Sequence, residues 1–174
     1  MSLPLYRISS LHTFSDEAIG TAVVALTGGN TPAAAVWPAA NDALFIPFAL
    51  AQSVLLKRLF VINGATASGN VDAGLYADDG TRIVSSGSTA QSGTSAPQFF
   101  DITDIIISPG RYYLAVAMDT TGGTLFRSNP SVIREQQIGM AKQASAFPLP
   151  ATATFATVTA LYLPCVGAEV TKVT

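Results

Sequence analysis

Nucleophilic catalysis needs a Ser or Cys within reach of a base, and a metal site needs several His, Cys, Asp or Glu side chains converging on one point. This 174-residue chain has one His and one Cys. His12 falls in an N-terminal stretch that reads as an arm outside the fold. A Ser-His-Asp arrangement has nothing to hold it there, and a three-histidine zinc site is impossible within one copy. His12 therefore reads as a surface or interface residue. Cys165 lies in the apolar run Leu161-Tyr162-Leu163-Pro164-Cys165-Val166 and reads as a small buried hydrophobe with no partner for an internal disulfide. Neither a Gly-x-Ser-x-Gly elbow nor a Gly-x-x-x-x-Gly-Lys-Ser/Thr phosphate loop occurs. No catalytic residue, cofactor or metal is expected, and the chain does not read as an enzyme.

The acids fall at turns and strand ends. Asp78 and Asp79 sit at a predicted hairpin tip, Asp101 and Asp104 flank a predicted turn, and Asp119 ends a predicted strand. None has calcium-loop spacing, and Asp is a common turn former. Asp72 differs: out of phase with Val71 and Ala73 on a strand, it is placed to pair with Arg58 or Arg82 across a sheet. Sugar recognition needs exposed rings that stack on sugar faces. Tyr76 and Tyr113 are the candidate exposed aromatics, since Tyr113 points out if Tyr112 points in. Trp37, between Val36 and Pro38, reads as a plug sealing the core where arm meets sandwich.

The elements that must carry these residues are almost all strands. Residues 1–36, with Asp16 and Glu17 as their only acids and a break at Gly28-Gly29-Asn30-Thr31-Pro32, read as an extended arm ordered by contact with something else. A β-sandwich domain is expected over 37–174. Leu44–Leu50 alternates large and small, with Pro47 marking an edge or bulge. Val54–Asn63 is a long apolar strand, and Asn70–Tyr76 puts Val71, Ala73 and Leu75 on one face. Asp79-Gly80 predicts a two-residue hairpin with φ > 0 at both central positions. Gln98–Ile102 and Ile105–Ile107 follow, and Arg111–Asp119 alternates with a period of two. Residues 130–150 read as irregular or as a short helix, and 152–166 as a C-terminal strand. Near eight short strands between Gly-, Ser- and Pro-rich turns predict an all-β, jelly-roll-like antiparallel sandwich. An immunoglobulin-like sandwich lacks its two Cys here.

Charge is scarce: 11% of residues are charged and 49% are hydrophobic, where a soluble domain carries about a quarter charged residues. The surface must then be largely Ala, Thr, Ser and Gly, which is cheap to desolvate against partners. A net charge of −2 with scattered basic residues excludes the clustered Lys and Arg of a nucleic-acid binder. The most apolar segment, Ala43 to Leu56, is too short and too interrupted to span a membrane, and the first residues do not read as a signal peptide.

Trp37-Pro38-Ala39-Ala40-Asn41, Phe45-Ile46-Pro47-Phe48, Gly64 to Tyr76, Gly80-Thr81-Arg82, Gly87-Ser88-Thr89-Ala90-Gln91 and Pro109-Gly110-Arg111-Tyr112-Tyr113-Leu114-Ala115 together cover about half the chain. In these the chain resembles small virion proteins of tailed bacteriophages that carry a jelly-roll-like sandwich. The resemblance implies a structural protein on the surface of a phage particle, made in the host cytoplasm, such as a capsid decoration (cement) protein. Its partners would be the major capsid protein and copies of itself, as a homotrimer, with neither nucleic acid nor membrane. Tyr6, Arg7, Leu11 and Phe14 are the candidate gripping residues of the arm, with Trp37 at its base. The alternative implied by the same resemblance is a tail, neck or fibre component that binds a host receptor or glycan through loops Ala65–Asn70 or Gln91–Pro97.

Overall fold

A computed structural model describes residues 18–20 (backbone only), 32–128 and 131–173. The strands are β1 (Ala18–Gly20), β2 (Ala33–Val36), β3 (Ala43–Leu50), β4 (Val54–Ile62), β5 (Asn70–Ala77), β6 (Arg82–Ser85), β7 (Thr89–Ala90), β8 (Pro97–Ile107), β9 (Gly110–Met118), β10 (Thr124–Ser128), β11 (Ala141–Gln143), β12 (Ala156–Thr157), β13 (Leu163–Pro164) and β14 (Val166–Lys172). A single short helix, α1 (Val132–Gln137), interrupts them. The chain is an antiparallel β-sandwich.

Its winding follows from two strand pairs that change sheet together. β3 runs antiparallel to β9 from Ala43↔Ala117 to Leu50↔Gly110, and β4 runs antiparallel to β8 from Val54↔Ile107 to Ile62↔Pro97. The turns Leu50–Val54 and Ile107–Gly110 therefore lie side by side, and the whole ribbon folds from one sheet into the other. Beyond it, β9 takes β5 as its second neighbour, and β4 takes β14. The result is a sheet in the order β1-β14-β4-β8 facing a larger one in the order β12-β11-β3-β9-β5-β6, with β7 on β5. Coiling a paired ribbon across two sheets is how a jelly roll is wound. A third small sheet, β13-β10-β2, closes one end.

Period-two alternation fills the space between the sheets. Leu44, Ile46 and Phe48 of β3, Leu56, Leu59 and Val61 of β4, Val71, Ala73 and Leu75 of β5, and Leu114, Val116 and Met118 of β9 share one core. The other face of the larger sheet is buried as well. Ala43, Phe45, Tyr76, Ala115 and Ala117 form a second cluster with Ala146, Leu149, Ala153, Phe147 and Phe155. Residues 146–155 thus lie as a cover over a face built of small side chains. At Gly74 a Cβ would stand 2.8 Å from Leu149 Cδ1, so glycine is what lets the cover approach.

Several expectations change against this frame. The span expected as an arm contributes two strands, with β1 on β14 and β2 on β10. The expected strand 152–166 holds only the two-residue β12 and β13, and Pro164, which has no N–H to donate, is the last residue of β13. The long C-terminal strand is β14, whose Val166, Ala168 and Val170 enter the core. Asp101 and Asp104 flank no turn. They lie within β8, where the register against β4 shifts beside Leu56 and Arg58. Pro47 fits its expected local edge, since β11 pairs only with Ala43–Phe45 and leaves β3 without a second neighbour there.

The β5–β6 hairpin forms, but by a different turn. Gly80 N–H donates to Ala77 O (3.0 Å) and Ala77 N–H to Thr81 O (2.9 Å), with Gly80 at φ +87 and Asp79 outside the positive-φ region. This is a three-residue loop closed by a glycine bulge, the next commonest hairpin after the two-residue type. A Cβ at Gly80 would also stand 2.9 Å from Ala153 O of the cover. Gly80→Val is expected to lower stability by at least about 2 kcal/mol. Gly87→Ala, at φ +68 in open space, should cost only about 1 kcal/mol. Urea unfolding of the two variants measures the difference that belongs to the cover contact.

Candidate functional site

The sequence-predicted residues do not converge on one place. Tyr6, Arg7, Leu11 and Phe14, together with His12, lie outside the described residues. Trp37 is 1% exposed, donates its indole N–H to Asp42 O (3.0 Å) and packs edge-on against Tyr162 at 5.2 Å. It is the plug expected, and its side chain is spent on its own core. Beside it a cavity of about 180 Å³ is lined by Trp37, Asp42, Lys142 and Thr159 among others. Lys142 Nζ donates to Thr159 Oγ1 there (2.9 Å), and the volume is below that of ordinary small-molecule pockets.

Tyr76 is not an exposed ring. It is fully buried, edge-on to Phe45 at 5.2 Å, and its hydroxyl donates to Pro150 O (2.6 Å). Burial pushes its phenol pKa up. The correction has the same cause as the second core: residues 146–155 cover that face. Tyr113 is half-buried and stacked against Phe155 with ring centroids 4.5 Å apart. The loops proposed for a groove do meet. Ser95 N–H donates to Gly64 O (2.8 Å), Gln91 N–H to Gly69 O (2.9 Å) and Ser68 N–H to Gln91 Oε1 (2.8 Å). Asn63, fully buried, anchors them by donating to Ser92 O (2.6 Å) and Gln98 Oε1 (2.9 Å) while accepting from Gln91 Nε2 (3.0 Å). Neither loop carries an aromatic residue, so the pair forms a rigid polar tip and not a stacking groove.

Asp72 is the most connected acid. It is 0% exposed and faces the cover, where it accepts from Leu149 N–H (3.0 Å), Ser85 Oγ (3.3 Å) and Ser86 Oγ (3.2 Å). Of the two partners expected, Arg82 supplies the nearby positive charge, and its guanidinium donates to Leu149 O. Arg58 lies in the other sheet, paired with Glu169. Burial raises the Asp72 pKa, and the amide and hydroxyl donors hold it down in part. The arrangement grips both backbone groups of Leu149 and is a fastening, not a reaction centre. Asp119 is likewise occupied, accepting from Asn70 N–H (2.8 Å) and Asn70 Nδ2 (2.7 Å). The Cys165 thiol is buried, and desolvation pushes its pKa up to about 11. That leaves it protonated and unreactive at neutral pH.

Sequence reasoning missed two features. Glu135 on α1 is fully buried, and neither carboxylate oxygen has a hydrogen-bond partner among the described residues; the same holds for Nε and Nη1 of Arg127. Burial pushes the Glu135 pKa up to about 7. The Tyr162 amide, which donates to Ala160 O (3.1 Å), and the charge of Arg127 oppose that shift only in part. Arg127 instead stacks over the Tyr162 ring at 5.5 Å. The helix pattern around Glu135 gave no sign of burial, since Arg134, Gln136 and Gln137 beside it are polar too.

The second feature is the outer face and free edge of β8. Phe99 is 48% and Ile106 60% exposed, with Asp101 and Asp104 exposed between them. Arg58 sits over the Phe99 ring at 4.8 Å, donates from Nε to Glu169 Oε2 (2.8 Å) and approaches Asp101 at 3.9 Å. Phe60 and Phe99 lie with centroids 5.6 Å apart. Strands over Gln98–Ile102 and Ile105–Ile107 were expected from the sequence, but not that they form one strand with no outer neighbour among the described residues. Among the described residues no three His, Cys, Asp or Glu side chains gather in a way that could hold a metal ion. No described helix is long and apolar enough to cross a membrane.

No family model matches this chain, and no curated protein does. Two solved structures are similar to it in part. One is a structure of infectious bursal disease virus, Gt strain, at 11% identity and a TM-score of 0.33, over 83% of this chain and 40% of that one. The other is a mutant VP2 protein of infectious bursal disease virus in derived T=1 particles, at 11% identity and a TM-score of 0.31, over 81% of this chain and 36% of that one. This chain therefore spans less than half the length of either.

Two outcomes are expected. Asp72→Ala leaves the Leu149 amide buried without an acceptor. It should cost about 1–3 kcal/mol and make residues 146–155 a preferred site in limited proteolysis. Glu135 has a folded-state pKa above its ordinary value of 4.5. The native state then binds more protons than the unfolded chain between about 4.5 and 7. Its contribution is fully present below that window and is lost as pH rises through it. Thermal melts from acid to neutral pH should show this fall, and Glu135→Gln should flatten it.

Proposed function

We propose that this chain is a non-enzymatic structural subunit of a virus particle, most specifically a decoration (cement) protein on the outer head surface of a tailed phage. The supporting observation is the character of the described surface. It is poor in charge, carries an eleven-residue sheet edge with no neighbour, and exposes Phe99 and Ile106 along that edge. Such a surface is cheap to bury and offers backbone hydrogen bonds to whatever covers it. The buried titratable groups fit the same reading. Asp72 fastens a cover, Cys165 is a core residue, and the acids at turns serve their own backbones, as Asp79 does by accepting from Thr81 N–H (2.8 Å).

The partners in this reading are the major capsid protein and other copies of the chain, as a homotrimer, with neither nucleic acid nor membrane. In this reading Tyr6, Arg7, Leu11 and Phe14 are the residues offered to the shell or a neighbour. Many weak contacts, each repeated around a lattice junction, then add to a firm hold. The place is the surface of the phage particle, after synthesis in the host cytoplasm.

The alternative, a tail or fibre component that binds a glycan, has less to stand on. Tyr76 is buried, and the loop tip carries no ring. Copy number separates the two. Quantitative mass spectrometry of purified particles should find hundreds of copies for a head position, whereas a handful would overturn it in favour of the tail. Complete absence from particles would remove the virion reading altogether.

A further inference from the structure

Among the described residues, β8 leaves the longest run of backbone without a second neighbour. It has eleven residues, against four in β6, four in β2 and two in β12. An open edge of that length is a template for another strand, which proteins cover or blunt with charge. The blunting here is partial. Asp101 and Asp104 occupy the middle, and exposed Phe99 and Ile106 stand toward the ends. The Asp101 side chain remains 90% exposed despite Arg58 at 3.9 Å, and Asp104 makes no ion pair among the described residues. The edge fits a strand that is apolar toward its ends and basic between them.

A second β8 does not fit. Two such edges laid antiparallel bring the acids of one copy beside those of the other, and like charges across a ladder repel. Residues 3–14 do fit. Leu3-Pro4-Leu5-Tyr6-Arg7-Ile8-Ser9-Ser10-Leu11-His12-Thr13-Phe14 carries Arg7 and His12, holds five large aliphatic or aromatic side chains besides Tyr6, and has no acid before Asp16. Twelve residues match an eleven-residue edge, and Pro4 stands near the start, where a missing N–H is tolerated.

The segment cannot serve its own copy. It leads into β1, which pairs with β14 at the far edge of the same sheet, with β14 and β4 between it and β8. A strand added outside β8 would lie four strand spacings from β1, about 19 Å. The chain from Phe14 to Ala18 spans about 14 Å even when fully stretched, which is too short before any climb over Arg58 and Phe60 on the sheet face.

We propose that residues 3–14 of one copy add as an extra antiparallel strand to the β8 edge of a second copy, with Ile8 against Thr103 and Arg7 beside Asp104. Donor and acceptor edges lie on opposite sides of one sheet, so the contact is head-to-tail and either closes a ring or runs on. The inference deepens the subunit reading above and rests on it only in that copies meet.

The test uses two full-length single-site variants, Ile8→Cys and Thr103→Cys, purified, mixed and oxidised. Thr103 is exposed, and Cys165 is buried with its thiol protonated, so it stays silent. The expected result is a mixed cross-linked product at least ten-fold above that of either variant alone. Its yield should fall ten-fold or more when Asp104→Lys is added to the Thr103→Cys chain, and return when Arg7→Asp is added to the Ile8→Cys chain. No mixed product, equal self-linking of Thr103→Cys alone, or a yield indifferent to the charge swap overturns the proposal. No particles are present, so the outcomes separate. Cross-linking without particle incorporation keeps this contact and sinks the virion role, and the reverse sinks the contact alone.

Discussion

The sandwich depends on burying both faces of its larger sheet. A sheet covered on one face leaves a polar outer side to the solvent. Here the outer side is Ala43, Phe45, Gly74, Tyr76, Ala115 and Ala117, and it stays dry only while residues 146–155 lie across it. Irregular chain carries backbone groups that must find partners when buried. Asp72 and Arg82 supply them at Leu149, Tyr76 at Pro150, and Arg82 N–H donates to Ala151 O (2.9 Å). A buried carboxylate is costly unless well bonded. This one receives three hydrogen bonds, and in return the cover has one permitted position.

The same economy describes the exterior. With few charges available, acids are placed where each does a structural task, at a hairpin tip, at the end of β9 or along the edge of β8. The loop tip is ordered by amide side chains that satisfy one another, Asn63 with Gln91 and Gln98, so it needs no ions to hold its shape. Among the described residues one long sheet edge, that of β8, is left without a second neighbour.

Much of the fold was legible in the letters. Alternation in Arg111–Asp119 located β9, the long apolar run Val54–Asn63 located β4, and the Asp79-Gly80 pair located a hairpin although not its loop length. Composition around Cys165 and Trp37 indicated burial, and both are buried. The candidate site was far less legible. Tyr76 alternates as an outward residue should, and nothing local distinguishes outward to solvent from outward to a covering loop. Thr152–Val166 has the composition of a strand because its Phe155, Val158 and Tyr162 side chains are needed for packing, while most of its backbone lies outside the strands. Glu135 looks like any solvated helix acid until the neighbouring elements are in place.

From sequence alone, the period of two and the spacing of turn residues determined that the chain is an antiparallel sandwich, because side-chain direction along a strand is a local property. The low charge was equally plain. Which strands neighbour one another was decided only in three dimensions. It follows from the joint folding of β3–β4 with β8–β9 and from the fit of a cover to a face of small residues. Exposure of Phe99, burial of Tyr76 and the open edge of β8 are consequences of that adjacency. No local pattern encodes them, because each depends on a segment far away in the chain.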